Sequence, residues 1–192
     1  MTDAALAAEY AHLRADALDV LGCWPAPDEA QERLRTAYLE HLAAHPDGVA
    51  KAGPPAHLTA SCLVLSADGE RVLLTHHRRA GRWFQFGGHL EPADTSLWAA
   101  ARREAREESG LPDLDPLPRP VHLDRHRLDG DFGRCREHLD VRYAAVAGPR
   151  AESRVSSESL AVRWWPVESL PEDTRAELAP LVSLARGVLG HR

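Results

Sequence analysis

Isoleucine and asparagine are absent from the 192-residue chain, and lysine occurs once, at Lys51. All three residues are encoded by AT-rich codons, so their scarcity points to GC-rich coding DNA and a bacterial source rather than to selection for arginine chemistry. Arginine is left to supply nearly all the positive charge, with 23 basic against 29 acidic side chains and a formal charge of −6. An acidic balance lacks the phosphate-neutralising surface from which nucleic-acid binding draws its affinity, so no nucleic-acid polymer is expected as a partner. Cysteine is scarce as well. Cys23, Cys62 and Cys135 are odd in number, widely spaced and without a CxxC pair, which speaks against a disulfide framework or a cysteine zinc site. No apolar run approaches the ~20 residues that cross a bilayer. Asp3, Glu9, His12, Arg14 and Asp16 interrupt the opening residues, unlike a signal peptide or an acid-poor transit peptide. No membrane partner and a cytoplasmic location are therefore expected.

What is present suits one domain with a substantial core, since 44% of the residues are hydrophobic. Leu6, Tyr10, Leu13, Ala17, Val20 and Leu21 recur at spacings of three and four, which predicts one helix over residues 3–21. Asp28 followed by Gln31 reads as a capping box before a second helix with Leu34, Tyr38 and Leu42 on its buried face. Residues 1–50 thus form a helical extension, and Gly53, Pro54 and Pro55 mark a linker. The period then shortens to two, with Leu58, Ala60, Cys62 and Val64 on one face and His57, Thr59, Ser61 and Leu63 on the other. A turn at Ala67-Asp68-Gly69 makes a hairpin with residues 71–75. A helix with Thr95 as N-cap and Gly110 just past its end follows, then strands within 121–127, 138–147 and 161–165. Leu178, Leu181, Val182, Ala185, Val188 and Leu189 describe a last amphipathic helix. Without a βαβ rhythm the class is α+β. The expected organisation is an extension at 1–50, a central domain at 56–171 and a C-terminal helix, 172–192, packed on it.

The segment that carries chemistry runs from Gly87 to Leu111. On a helix, Glu104, Glu107 and Glu108 stand at i, i+3 and i+4, so three carboxylates share one face. Like charges repel there, and a helix C-terminus is the wrong end for anions. A hard divalent cation would offset that cost, and Mg²⁺ or Mn²⁺ is suited to a few carboxylates completed by water and phosphate. Taken alone, the pattern equally fits a solvated helix face with Arg103 and Glu107 as an i,i+4 pair.

The flanks favour the metal. The stretch 88–111 resembles the Nudix box, a glycine, five residues, a glutamate, seven residues, then Arg-Glu-apolar-X-Glu-Glu-X-Gly-apolar. Its second half is matched by Arg103-Glu104-Ala105-Arg106-Glu107-Glu108-Ser109-Gly110-Leu111. In the first half, Asp94 stands where the family has Glu, and eight residues instead of seven separate it from Arg103. That is a one-residue insertion, harmless to the glutamate face if it falls before the helix. Residues 81–88 resemble the family's strand leading into the box, and residues 163–171 its late strand and turn. The resemblance implies a Nudix-type α/β/α sandwich with a mixed sheet. It also implies Mg²⁺-dependent hydrolysis, with Mn²⁺ as substitute, of a diphosphate bond in a nucleoside diphosphate linked to another moiety or in a related small molecule. By position, Glu104, Glu107 and Glu108 would be metal ligands, one of them also a base, and Arg103 would orient a glutamate. The Gly87 and Gly88 backbones would approach the metal or substrate, and Glu158 is the candidate base from a later loop.

Arg78, Arg79 and Arg82 are the candidate phosphate contacts, and Trp83 and Phe84 the candidate stacking residues, although an alternating strand sends one of such a pair into the core. The strand histidines His57, His76, His77 and His89 read as structural, lacking a recognisable acid behind them. Two other readings compete: a catalytically silent Nudix-like binding or regulatory domain, and an isoprenoid-diphosphate isomerase-like enzyme needing a catalytic cysteine, a role for which Cys62 looks too buried. The helical extension would serve as lid, packing or the contact of a homodimer.

Overall fold

In a computed structural model that describes residues 2–128, 133–149, 151–155 and 159–191, the N-terminal apolar face is carried by two helices rather than one. α1 (Asp3–Glu9) ends at Tyr10, whose ψ of 7° is not helical, and α2 (Ala11–Cys23) starts anew. The apolar spacing survives the break, because Leu6, Tyr10, Leu13, Ala17 and Leu21 are all buried. α3 (Glu29–Ala44) is capped as expected, with the Asp28 carboxylate accepting the Gln31 N–H at 2.8 Å. The Gln31 side chain does not complete a capping box. It turns instead to a strand, as described below.

The remaining elements are β1 (Ala56–Leu65), β2 (Arg71–His77), β3 (Arg82–Phe84), β4 (Phe86–His89), α4 (Leu97–Ser109), β5 (His122–Arg127), β6 (Glu137–Val146), β7 (Ser159–Pro166) and α5 (Leu178–Val188). Strand pairing follows the order β3-β2-β1-β6-β5, with β4 on β1 and β7 on β2. The class is α+β. The β1–β2 hairpin pairs Val64 with Leu73 and Leu65 with Val72. Its turn needs a left-handed residue, supplied by Gly69 at φ 71°. The expected alternation along β1 gives way to burial at every position from His57 to Leu65. A strand covered on both faces hides its polar residues too, and these find partners: Thr59 donates to Asp140 at 3.0 Å, and Gln85 donates to Ser61 at 3.3 Å.

The chain divides into two compact units, the first holding the described residues of Met1–Ala60, Gly88–Ala100 and His122–Val141, the second Ser61–Gly87, Ala101–Val121 and Arg142–Arg192. In the first, α3 lies along β5. Gln31 acts there as a surrogate strand residue, donating from Nε2 to the Leu123 carbonyl (3.0 Å) and accepting the Leu123 N–H on Oε1 (2.6 Å). Tyr38 adds a hydroxyl bond to the Asp124 carbonyl at 2.6 Å.

The second unit is a sandwich. Leu63, Leu65, Val72 and Leu74 pack with Leu178, Leu181, Val182 and Ala185 of α5, while Cys62, Val64, Leu73 and Phe86 pack with Ala105 of α4. The period of two sends successive strand residues to opposite helices. It also divides the adjacent tryptophans, Trp165 joining the α5 side and Trp164 the α4 side.

Candidate active site

α4 is regular from Leu97 to Ser109. Its N-cap is Ser96, whose hydroxyl accepts the Ala99 N–H at 3.0 Å, one residue later than the Thr95 expected from sequence. The Asp16 carboxylate takes a second free donor of the first turn, the Leu97 N–H, at 2.7 Å. Ahead of the helix, Asp94 and Glu91 close a tight turn: Asp94 N–H donates to the Glu91 carbonyl (2.9 Å) and Glu91 N–H to Asp94 Oδ2 (2.8 Å). From Leu97 the helix then runs without interruption through all three glutamates.

The helix sets the three glutamates in different surroundings. Glu108 is 7% exposed, and its Oε2 accepts the Gly87 N–H at 3.0 Å, fixing one carboxylate oxygen against β4. Glu104 is largely covered and accepts a bond from Arg103 Nη1 at 2.9 Å. The same nitrogen lies 3.5 Å from Oε2 of Glu107, whose side chain is 63% exposed. One guanidinium therefore faces two of the three carboxylates and relieves part of their repulsion. Two other arginines of the helix, Arg102 and Arg106, reach Asp115 at 3.1 and 4.0 Å. The set presents hard oxygen donors, one held by a backbone amide and one by an arginine, the kind of ligand that a hard divalent cation takes.

The C-terminal end of the helix closes on Gly110, at φ 70°. A Cβ there would lie 2.7 Å from that of Arg154, whose N–H donates to the Ser109 carbonyl at 2.8 Å. Gly110 is required twice, by its dihedral and by this close approach. Just beyond, residues 111–114, 146–149, 151 and 152 line a pocket of about 390 Å³ whose charged side chains, among the described residues, are Asp113 and Glu152.

Gly88 follows Gly87 on β4 and belongs to the first unit. Arg78, Arg79 and Arg82 lie exposed at the β2–β3 turn, where Arg78 Nη2 donates to the Ser159 carbonyl at 3.2 Å. Trp83 and Phe84 part as an alternating strand requires. Trp83 packs edge-on against Trp165 with ring centroids 5.2 Å apart, on the α5 side. Phe84 pairs with Thr75 and has the Arg175 guanidinium 5.9 Å over its ring. Glu158 lies outside the described residues. Cys62 is fully buried, and burial pushes its thiol far up, the wrong direction for a catalytic cysteine. The sequence reading missed the Gly87 amide as partner of Glu108, and no local signal reveals it, because the two residues meet only through packing. No helix is long and apolar enough to cross a membrane among the described residues.

A family model described as the NUDIX domain matches residues 55–185. Among solved structures, a NUDIX-family hydrolase from Clostridium perfringens is similar at TM-score 0.57 and 24% identity, over 69% of this chain and 97% of that one. An Ap4A hydrolase from C. elegans, solved as a binary complex, gives TM-score 0.56 at 18% identity over 69% and 97%. The NUDIX domain of Shewanella oneidensis NrtR, solved with ADP ribose, gives 0.54 at 21% over 78% and 97%. No curated protein matches the chain.

Proposed function

The chain belongs to the Nudix hydrolases, enzymes that act on diphosphate bonds, and from that premise we propose a Mg²⁺-dependent hydrolase of small nucleoside-diphosphate-like compounds, with Mn²⁺ as substitute. The observation that carries this reading is the uninterrupted glutamate face of α4, with Arg103 between Glu104 and Glu107 and Glu108 tied to Gly87. Glu104, Glu107 and Glu108 would hold the cation. When bound, it supplies charge neutralisation for the phosphoryl oxygens and a more acidic water.

The chain's own residues have distinct tasks. Glu108, buried and anchored, is the fixed point of the set. Glu107 is the most exposed of the three and the one free to swing, so it takes the roles of ligand and base. Arg103 positions Glu104 and Glu107 and limits their repulsion. Arg78, Arg79 and Arg82 are the proposed phosphate contacts, with Phe84 beside them; Trp83, committed to the α5 side, contributes by holding β3. Glu158 remains the proposed second base.

The test is hydrolysis by the metal-stripped full chain over nucleoside triphosphates, nucleotide sugars, dinucleoside polyphosphates, ADP-ribose and non-nucleotide diphosphates. Turnover of at least one class should require Mg²⁺ and return with Mn²⁺. Glu107→Gln should lower kcat by roughly 10²–10⁴-fold. Ligand binding with no turnover anywhere in that panel would replace the enzyme by a silent binding domain.

A further inference from the structure

Away from the carboxylates, the first unit gathers a second set of metal-type side chains. His57 of β1, His89 at the end of β4, Cys135 before β6 and His138 on β6 each offer one ligand atom, and these atoms all lie within 4.8 Å of one another. We propose that these four residues form a tetrahedral Zn²⁺ site that fastens β1, β4 and β6 together.

The geometry is close to what the ion needs. Zn–N bonds of ~2.0–2.1 Å and a Zn–S bond of ~2.3 Å set tetrahedral ligand atoms about 3.3–3.7 Å apart. Cys135 Sγ is 3.3 Å from His57 Nε2 and 3.2 Å from His138 Nε2. Movements of about an ångström or less bring the longer separations into range, within the reach of side-chain rotation. The rings already converge, with centroid separations of 5.2 Å for His57–His89, 5.6 Å for His57–His138 and 5.0 Å for His89–His138.

The tautomers are set for binding. His57 Nδ1 lies 3.0 Å from the Pro54 carbonyl, which can only accept, so Nδ1 carries the proton and Nε2 presents its lone pair to the cluster. Neutral imidazole is the ligand form. Both Nε2 atoms face Sγ of Cys135, which carries the thiol proton, and one cation can take all three atoms as ligands. On binding, that proton leaves to solvent and a Zn–thiolate bond forms.

The donor set also selects the ion. Three imidazoles and a thiolate are soft and borderline ligands that favour zinc over Mg²⁺. His57 is 0% and Cys135 5% exposed, and four protein ligands leave no position for substrate. This is the chemistry of a structural site. Cys135 and His138 share a short C-x-x-H chelate, while β1 and β4 each supply one remote ligand.

The probe is zinc alone. Chelator-stripped full chain is titrated with ZnCl₂ against a chromophoric competitor, and bound metal is counted by elemental analysis. The expected result is about one tightly held zinc per chain. Cys135→Ser and His89→Gln should each weaken it by more than about tenfold to a hundredfold, the range of losing a mere supporting contact. Glu107→Gln should leave it unchanged, which separates this site from the carboxylate set. Cobalt in place of zinc should give a thiolate charge-transfer band that Cys135→Ser lacks. Should Cys135→Ser fail to fold by circular dichroism, His89→Gln and the cobalt spectrum of the unaltered chain decide. Absence of tight zinc from the unaltered chain, or variants that bind zinc as tightly as the unaltered chain, overturns the site. Hydrolysis is not the readout, so failure of the proposed activity would not touch it.

Discussion

A guanidinium and an ammonium are not equivalent where one side chain must face two carboxylates at once. Arg103 does this from a single nitrogen, at 2.9 Å from Glu104 and 3.5 Å from Glu107. Arg103→Lys keeps the charge and loses the planar fork. We expect kcat/KM to fall about 10–100-fold, with the Mg²⁺ concentration for half-maximal rate rising and the melting temperature little changed. A fall in melting temperature without a shift in Mg²⁺ dependence would mark Arg103 as merely structural. At this scale much was legible. The i, i+3, i+4 spacing of Glu104, Glu107 and Glu108 announces a shared face without any structure. The histidine and cysteine cluster did not announce itself, because His57, His89 and His138 come from different strands and only pairing brings them together. The C-x-x-H run from Cys135 to His138 was the one local sign.

Between helix and strand, the telling contact is the pair of bonds from Gln31 to the backbone of Leu123. Gln31 is 6% exposed, so Gln31→Leu would bury an N–H and a carbonyl without partners. Urea unfolding should show a loss of about 2–5 kcal/mol for the two groups together. Glu29→Ala, two residues away and with a side chain 97% exposed, should stay within about 0.5 kcal/mol. A null result for Gln31→Leu would mean that α3 is held by packing alone. The same contact shows where sequence reading falls short for elements. Asp28 and Gln31 have the spacing of a capping box, and the cap itself forms, yet a glutamine near a strand edge has a better use. Likewise the spacing of Leu6, Tyr10 and Leu13 fixes a buried stripe but is blind to the non-helical Tyr10 within it. Periodicity reports which side of the chain is covered; it does not report where the backbone breaks.

For the molecule as a whole, the α+β class followed from mixed elements without a βαβ rhythm, and the long motif pointed to the family that residues 55–185 match. The two-sided burial of β1 was hidden. Thr59 and Ser61 look like an outward face until their partners, Asp140 and Gln85, are known, and those lie more than twenty residues away in the chain.

The split of Trp164 and Trp165 between the two sides of the second unit has an optical consequence. Trp83 and Trp165 sit edge-to-face at 5.2 Å with planes inclined by 74°, close enough for their indole transitions to couple. The chain should therefore show an exciton couplet in its circular dichroism. Trp165→Phe should abolish it, Trp164→Phe should leave it, and its loss on heating would give a label-free clock for the release of α5 from the sheet.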